Sequence, residues 1–310
     1  MAKVVVTGGA GFIGSHVVDA FLERGDTVTV IDDLSSGRRE NVAAAARLHV
    51  VDIRDAAARE VVRAATPDIV VHAAAQMSVR RSMDEPVFDT QVNVAGLVNI
   101  LDALRGGTLP HVVFCSTGGA IYGEQERFPA DEDHPLQPAS VYGLAKRVGE
   151  LYLDFWARSF GLTFTALRLG NVYGPRQSPH GEAGVVAIFC ERMLRGEVPV
   201  INGTGEQTRD FVFVGDVVRA VVAAAERRIP GVFNIGTGRE TSVNEVHHLL
   251  AEALGVPPEQ KTLVPAKAGE QLRSCISPAR AAAVFGWRPE LSAAAGLRAT
   301  ATWFREQHSR

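Results

Sequence analysis

Six short β-branched runs, spaced by longer amphipathic stretches, restrict what this chain can fold into. They read KVVVTG at 3–8, TVTVID at 27–32, LHVVD at 48–52, IVVHAAA at 69–75, HVVFCST at 111–117 and TFTALRLG at 163–170. Alternation of this kind predicts parallel strands joined by crossover helices. Between the first two runs Ile13, Val17 and Phe21, with Val18 and Leu22, recur at helical spacing, and Gly25 supplies a stop. A second helix is legible at 90–104, where Val94, Leu97, Val98, Leu101 and Leu104 share a face. A third starts at the N-cap candidate Ser140, follows a stripe of Val141, Ala145, Val148, Tyr152 and Phe155, and ends near Gly161.

After about residue 172 the texture changes to Gly/Pro-punctuated segments such as NVYGPRQSPHGEAG and INGTGEQTRDF. The expected organisation is one lobe over residues 1–171 and a second mainly over 172–310. Residues 211–238, which contain the strand-like GVFNIGTG, are a candidate to return to the first sheet. With 310 residues, 46% of them hydrophobic, the chain can bury more than one hydrophobic unit. Its 32 basic and 35 acidic residues leave a net charge of −3, which draws it to neither nucleic acid nor membrane, so a small-molecule partner is expected. Cys115, Cys190 and Cys275 are odd in number and widely spaced, which gives neither a disulfide framework nor a paired-cysteine metal site and fits a reducing cytoplasm. His247-His248 lacks companion ligands and reads as structural. No apolar stretch approaches the ~20 residues of a membrane span.

The first run ends in Gly8-Gly9-Ala10-Gly11-Phe12-Ile13-Gly14, which opens directly into the first helix. Backbone amides at such a helix start can meet a pyrophosphate, and missing Cβ atoms permit close approach. The second run ends in Asp32, near the ~20-residue offset at which a carboxylate binds the adenosine ribose. A bare structural turn with a solvent-facing Asp32 is the rival reading, but strand, glycines, helix and acid all stand in order. The expected fold class is therefore α/β, a Rossmann-type doubly wound parallel sheet with a smaller, mixed α/β substrate-binding lobe. Candidate cofactor contacts are Gly8, Gly11, Phe12, Ile13, Gly14 and Asp32, with Asp33, Ser36 and Gly37 in the loop that follows. A carboxylate at Asp32 repels a 2′-phosphate, so NAD is favoured over NADP, although Arg38 and Arg39 lie close by. Asp52 and Ile53 could bracket the adenine, and Ala73, Ala74 and Ala75 either leave room at the fourth strand's end or simply pack.

Tyr142 and Lys146 stand four apart on the third helix, off the Val141–Ala145–Val148 stripe, so one face presents both. An adjacent ammonium and an oxidised nicotinamide both favour the phenolate, which could then take a hydroxyl proton. Tyr and Lys at this spacing are a common accident. After a dinucleotide motif and a strand tipped by Ser116 and Thr117, they become candidate catalytic residues.

Taken together, TGGAGFIGSH, HAAAQMSV, NVAGLVNIL, STGGAIYG, SVYGLAK, GTGEQTRDFVFVGDV and FGWRP resemble the extended short-chain dehydrogenase/reductases that act on nucleotide sugars, and within them the UDP-glucose 4-epimerases. The resemblance covers nearly the whole chain. It implies Tyr142 as general base, Lys146 on the nicotinamide ribose, Ser116 or Thr117 on the sugar's 4-oxygen and Asn93 on the cofactor side. It also implies a reaction without net redox, in which hydride passes from C4 to NAD, the 4-keto sugar turns about its diphosphate, and hydride returns to the opposite face. Asn171, Ala183, Val185, Val186, Asn202 and Arg209 match family positions near the uridine diphosphate, with Arg209 as the phosphate clamp or, alternatively, paired locally with Asp210. Lys267, Glu270 and Arg273 complete the candidate substrate contacts, the first two in place of a usual arginine and aspartate. A homodimer through the helices at 90–104 and 140–160 is implied, with Leu153, Trp156 and Phe160 extending an apolar surface unless they pack within the monomer.

One departure bears on the reaction. Where epimerases of this type carry the working hydroxyl, four residues before Tyr122, this chain has Gly118, with Thr117 and Ser116 behind it. Dehydratases and decarboxylases of the family place an acid one or two positions after that hydroxyl; Gly118 and Gly119 supply none. Epimerisation of UDP-glucose and UDP-galactose is the favoured expectation. A 4,6-dehydratase, a decarboxylase, a uronate epimerase and a non-catalytic NAD sensor are the alternatives. Ser274, at a position where bulk excludes N-acetylated sugars, suggests that UDP-hexosamines are also accepted.

Overall fold

The computed structural model describes residues 1–180, 184–266 and 271–309. The first half runs β1 (Lys3–Thr7), α1 (Phe12–Glu23), β2 (Thr27–Asp32), β3 (Arg47–Val50), α2 (Ala56–Ala65) and β4 (Ile69–His72). Two short helices follow, α3 (Val79–Asp84) and α4 (Pro86–Thr90), then a π turn (Gln91–Ala95) leading into α5 (Gly96–Ala103), β5 (His111–Thr117), α6 (Val141–Phe160) and β6 (Thr163–Leu169). The second half contains β7 (Asn171–Tyr173), α7 (Val185–Leu194), β8 (Val200–Asn202), β9 (Thr208–Arg209), β10 (Phe211–Phe213), α8 (Val214–Arg227) and β11 (Gly231–Ile235). It closes with β12 (Thr241–Ser242), α9 (Val243–Leu254), β13 (Thr262–Val264), α10 (Ala279–Phe285) and α11 (Ala293–His308).

Seven parallel strands form the main sheet in the order β11-β6-β5-β4-β1-β2-β3. Both faces are covered, which is why its strands read as continuous apolar runs. Val4 and Val6 of β1 point to a core shared with Val17 and Phe21 of α1, Val217 and Val221 of α8, and Phe285 of α10. Val5 points the other way, to Val62 of α2, Leu97 and Ile100 of α5, and Leu153 of α6. The strand order reverses between β1 and β4, so the crevice outside their carboxyl ends is the natural ligand site. GVFNIGTG returns to this sheet as β11 beside β6. A separate core made by α7, α9 and α11 buries Phe189, Val246, Leu250, Leu297 and Phe304.

Two features differ from the sequence expectation. The helix expected over 90–104 is broken into α4, the π turn and α5, and the turn places buried Asn93 beside the end of β4. On α6 the buried residues are Gly143, Ala145, Lys146, Gly149, Glu150, Leu153 and Trp156, whereas Val141 and Val148 are only half-buried. Lys146 therefore lies on the inward face of α6, not beside it, with half-buried Tyr142 one turn earlier. Gly149 makes this possible, since a Cβ there would come within 2.9 Å of the Phe114 ring. Leu153 belongs to the core; the exposed apolar residues of α6 are Leu144, Leu151, Phe155 and Phe160.

Candidate active site

The crevice begins with backbone packed on backbone. Gly8 sits at φ 71°, and a Cβ on it would fall 2.6 Å from the Ala74 amide nitrogen, while one on Gly14 would fall 2.1 Å from the Gly8 carbonyl oxygen. Side chains at either place would force β1, β4 and α1 apart. Gly11 caps α1 without any side-chain hydrogen bond, so the positive helix end faces the crevice through its own amides. Phe12 and Ile13 start the helix and pack against the core behind it. This cradle fits the diphosphate of a dinucleotide.

Asp32 is buried at the tip of β2 and accepts the Ala10 and Leu34 amides at 2.9 Å each. Burial raises its carboxyl above the usual range, and those amides oppose the rise. Gly37 closes on it, so that a Cβ there would lie 2.8 Å from Asp32 Oδ1. Asp33 holds the loop by accepting the Ser35 amide, and Ser36 is exposed. Asp52 is ion-paired to Arg54 at 2.6 Å, which pulls its carboxyl down, and Ile53 is buried against Gly96. Ala73, Ala74 and Ala75 are half-buried at the end of β4, and Asn93 secures the chain just beyond them by accepting the Gln76 amide at 3.0 Å.

Lys146 is almost fully buried, and its ammonium donates to the Cys115 carbonyl at 2.8 Å while lying 5.9 Å from the Tyr142 ring centre. Desolvation pulls it down to about 8. Burial pushes the Tyr142 phenol up, and a hydrogen bond with the Thr117 hydroxyl opposes that rise. Ser116 is committed elsewhere: its Oγ donates to Glu150 Oε1 at 2.7 Å, and Glu150 is held by Arg168 through contacts of 2.9 and 2.8 Å. Arg168 continues to the Tyr122 hydroxyl, which donates to Asn234 Oδ1 on β11. Gly118 is closely packed: a Cβ there would come 2.5 Å from the end of the Ile276 side chain and 3.1 Å from the Leu169 carbonyl oxygen. Glu150, Arg168, Gln76 and buried Asp89 were missed from the sequence. Glu150 carried a signal, standing four residues after Lys146 on the same face.

On the other wall, Asn171 starts β7, and its side chain approaches the Cβ position of Gly119 to 3.3 Å. Gly184 caps α7 without a side-chain bond, leaving the backbone at Val185 and Val186 as the helix's opening while Val186's side chain enters the core. Asn202 ends β8, and Arg209 ends β9 with Nη1 donating to the Thr208 carbonyl at 2.8 Å. Asp210 turns inward to accept the Thr237, Gly238 and Ile276 amides. Arg273 is exposed, ion-paired to Glu240 at 2.6 Å and stacked 3.9 Å over Phe128. Ser274 is buried, with its amide on the Thr208 carbonyl at 3.2 Å. Ala183, Lys267 and Glu270 lie outside the described residues.

A doubly wound sheet with a glycine cradle, a ribose-side acid and a Thr/Tyr/Lys cluster at one crevice defines a nicotinamide-dependent enzyme of the short-chain dehydrogenase/reductase class. Residues 4–236 match the model of the NAD dependent epimerase/dehydratase family, and the chain belongs to that family. It is 44% identical to UDP-glucose 4-epimerase of Mycolicibacterium smegmatis, over 98% of this chain and 99% of that one. UDP-glucose 4-epimerase of Thermotoga maritima, solved with UDP-glucose, superposes with a TM-score of 0.93 at 46% identity over 98% of this chain and 99% of that one. UDP-N-acetylglucosamine 4-epimerase of Methanobrevibacter ruminantium superposes with a TM-score of 0.93 at 34% identity over 99% of each chain. Among the described residues no helix is long and apolar enough to cross a membrane.

Proposed function

We propose that this protein is a UDP-glucose 4-epimerase that interconverts UDP-glucose and UDP-galactose through a transient 4-keto sugar. The observation that carries the reading is the Thr117 hydroxyl beside the Tyr142 phenol, with Lys146 5.9 Å from the Tyr142 ring centre and glycines, not acids, at 118 and 119. NAD bound along Gly8–Gly14 and Asp32 supplies a reversible hydride acceptor and, when oxidised, a positive charge beside the phenol. Tyr142 takes the C4 hydroxyl proton and later returns it. Thr117 steadies the same oxygen, and Lys146, fixed by the Cys115 carbonyl, favours the phenolate by its charge and orients the nicotinamide ribose. Elimination or decarboxylation needs a further acid or base next to Thr117, and Gly118 and Gly119 supply none. The uridine diphosphate contacts are assigned to Asn171, Val185, Val186, Asn202 and Arg209, with Ala183, Lys267, Glu270 and Arg273 completing the set.

The small, buried Ser274 favours a second substrate class, the N-acetylated UDP-hexosamines. Leu144, Leu151, Phe155 and Phe160 on α6 support a homodimer built on this helix and its neighbour α5. Three free, buried cysteines suit a reducing cytoplasm. We divide the chain into a cofactor lobe, residues 1–171 with 211–238 returning, and a UDP-sugar lobe over the remainder; α8 and β11 packing on the main sheet supports this division. The test is to incubate purified protein with UDP-galactose, without added NAD, and identify the sugar formed. UDP-glucose is expected, and a 4-keto-6-deoxy sugar or a pentose would contradict the reading.

A further inference from the structure

Phe114 is a core residue that also faces a charge. It belongs to β5, the strand that ends in Ser116 and Thr117, and it is fully buried. On the neighbouring strand it is in register with His72 of β4, and the two rings stack with centres 5.9 Å apart and planes at 22°. His72 is fixed in turn: its Nδ1 shares a hydrogen bond of 3.0 Å with the hydroxyl of Thr7 at the tip of β1, which also accepts the Ala74 amide at 3.3 Å. On the helix side, Gly149 lets α6 close on the Phe114 ring. The Lys146 ammonium lies over that ring, 4.9 Å from its centre. Four elements, β1, β4, β5 and α6, therefore hold one aromatic plate against one buried cation.

A buried ammonium needs partners for its charge, because water no longer supplies them. Lys146 gives one N–H to the Cys115 carbonyl at 2.8 Å, and an ammonium has three. Two ionisable side chains beside it are neutral at physiological pH: burial pushes the Cys115 thiol up to about 11 and the His72 imidazole down to about 3. The Tyr142 phenol, its ring centre 5.9 Å away, and Asp89 on α4 also act on this region. Glu150, one turn further along α6, is engaged by Ser116 and Arg168. The face of an aromatic ring is the negative side of its quadrupole and attracts a cation within about 6 Å of the centre, more strongly where water is excluded. Phe114 meets both conditions, and unlike Tyr142 it has no proton to lose.

We propose that Phe114 is a positioning residue of the epimerase site: its ring face, through a cation–π contact, holds the Lys146 side chain against β5 and keeps it an ammonium. The inference rests on the epimerase reading and extends it to an apolar residue of the core behind Lys146.

Fluorinated phenylalanines at position 114 isolate the contact, because each added fluorine weakens the negative ring face while the residue stays apolar and close to its natural size. Mono-, di- and trifluorophenylalanine proteins are compared with the unmodified one, and all other charged groups stay the same. The chain has four lysines, Lys3, Lys146, Lys261 and Lys267, so the carbon-13-labelled ε-carbon of Lys146 can be followed through a pH titration by nuclear magnetic resonance, with Lys146→Met as the blank. A cation–π contact stabilises the ammonium, so weakening it lowers the pH at which the proton leaves. The Lys146 midpoint should fall stepwise from about 8, by about one pH unit across the series, and the alkaline limb of kcat/KM for UDP-galactose should fall with it. A midpoint that does not move along the series would reduce Phe114 to packing and overturn the proposal, whatever happens to the melting temperature. Phe114→Leu, which removes the ring and keeps an apolar side chain, should lower the midpoint in the same direction, and an unchanged midpoint would again contradict the assignment. If Phe114→Leu does not fold, the fluorinated series decides alone. Should the unmodified protein fail to convert UDP-galactose, the epimerase reading fails, while the Lys146 midpoints still settle the role of Phe114.

Discussion

Ser116 Oγ lies 2.7 Å from Glu150 Oε1 and donates to it, so one of the two adjacent hydroxyls at the tip of β5 is built into the protein rather than offered to a ligand. Thr117 is the one that meets Tyr142. The two alanine variants should consequently fail in different ways. Thr117→Ala should lower kcat by about 10²-fold with little change in melting temperature, the scale of one lost transition-state hydrogen bond. Ser116→Ala should keep most of its turnover and lose about 1–3 kcal/mol of stability by leaving a buried carboxylate oxygen short of a donor. Steady-state kinetics and thermal melts on both variants check this, and the reverse ranking would refute it.

Glu150 and Arg168 are each nearly inaccessible and hydrogen-bond through both carboxylate oxygens. Removing Arg168 leaves the buried Glu150 carboxylate with the more distant, partly exposed Arg147 at 3.3 Å as its cationic partner. Arg168→Met is expected to cost about 3–5 kcal/mol in denaturant unfolding, whereas the double change Arg168→Met with Glu150→Leu should recover a good part of that loss. Because the pair lies behind Ser116, kcat in the double variant should fall less than in Thr117→Ala.

A methyl group on Gly14 would sit 2.1 Å from the Gly8 carbonyl oxygen, and relief requires α1 to withdraw from the β1 turn. Gly14→Ala is expected to purify with little or no NAD. Heat-released NAD, assayed enzymatically, should fall from near one per chain to a small fraction of that.

Lys146 carries the pH dependence. Desolvation brings its folded value down to about 8, so the ammonium is present below that pH and lost above it. kcat/KM should decline as pH rises past about 8, and Lys146→Met should remove that limb along with most of the activity. A profile still flat at pH values well above 8 would show that the lysine charge is not needed.

Much of this arrangement is legible in the chain. The six β-branched runs fall in β1 to β6, and the Ser140–Gly161 helix has the expected ends, with Ser140 accepting the Gly143 amide and Gly161 in the left-handed region at φ 76°. Periodicity misled on α6, because Val141 and Val148 look like a core stripe while the truly buried face carries Lys146 and Glu150. Hydropathy cannot mark a face whose interior is ionic. The helix α2, AAAREVVRAA, is alanine-rich with a thin apolar stripe, so its outline was faint. The division of labour between Ser116 and Thr117 was equally hidden, since it depends on Arg168, more than fifty residues later in sequence, holding Glu150 in reach.

In the proposed reaction C4 is oxidised and reduced again by the same hydride, with no proton exchanged at carbon. Conversion of UDP-galactose in heavy water tests it most directly, with the carbon-bound hydrogens of the product read by nuclear magnetic resonance. UDP-glucose with no deuterium at any ring carbon is expected. Deuterium at C5, with or without loss of water, would mean proton abstraction from carbon and would contradict it.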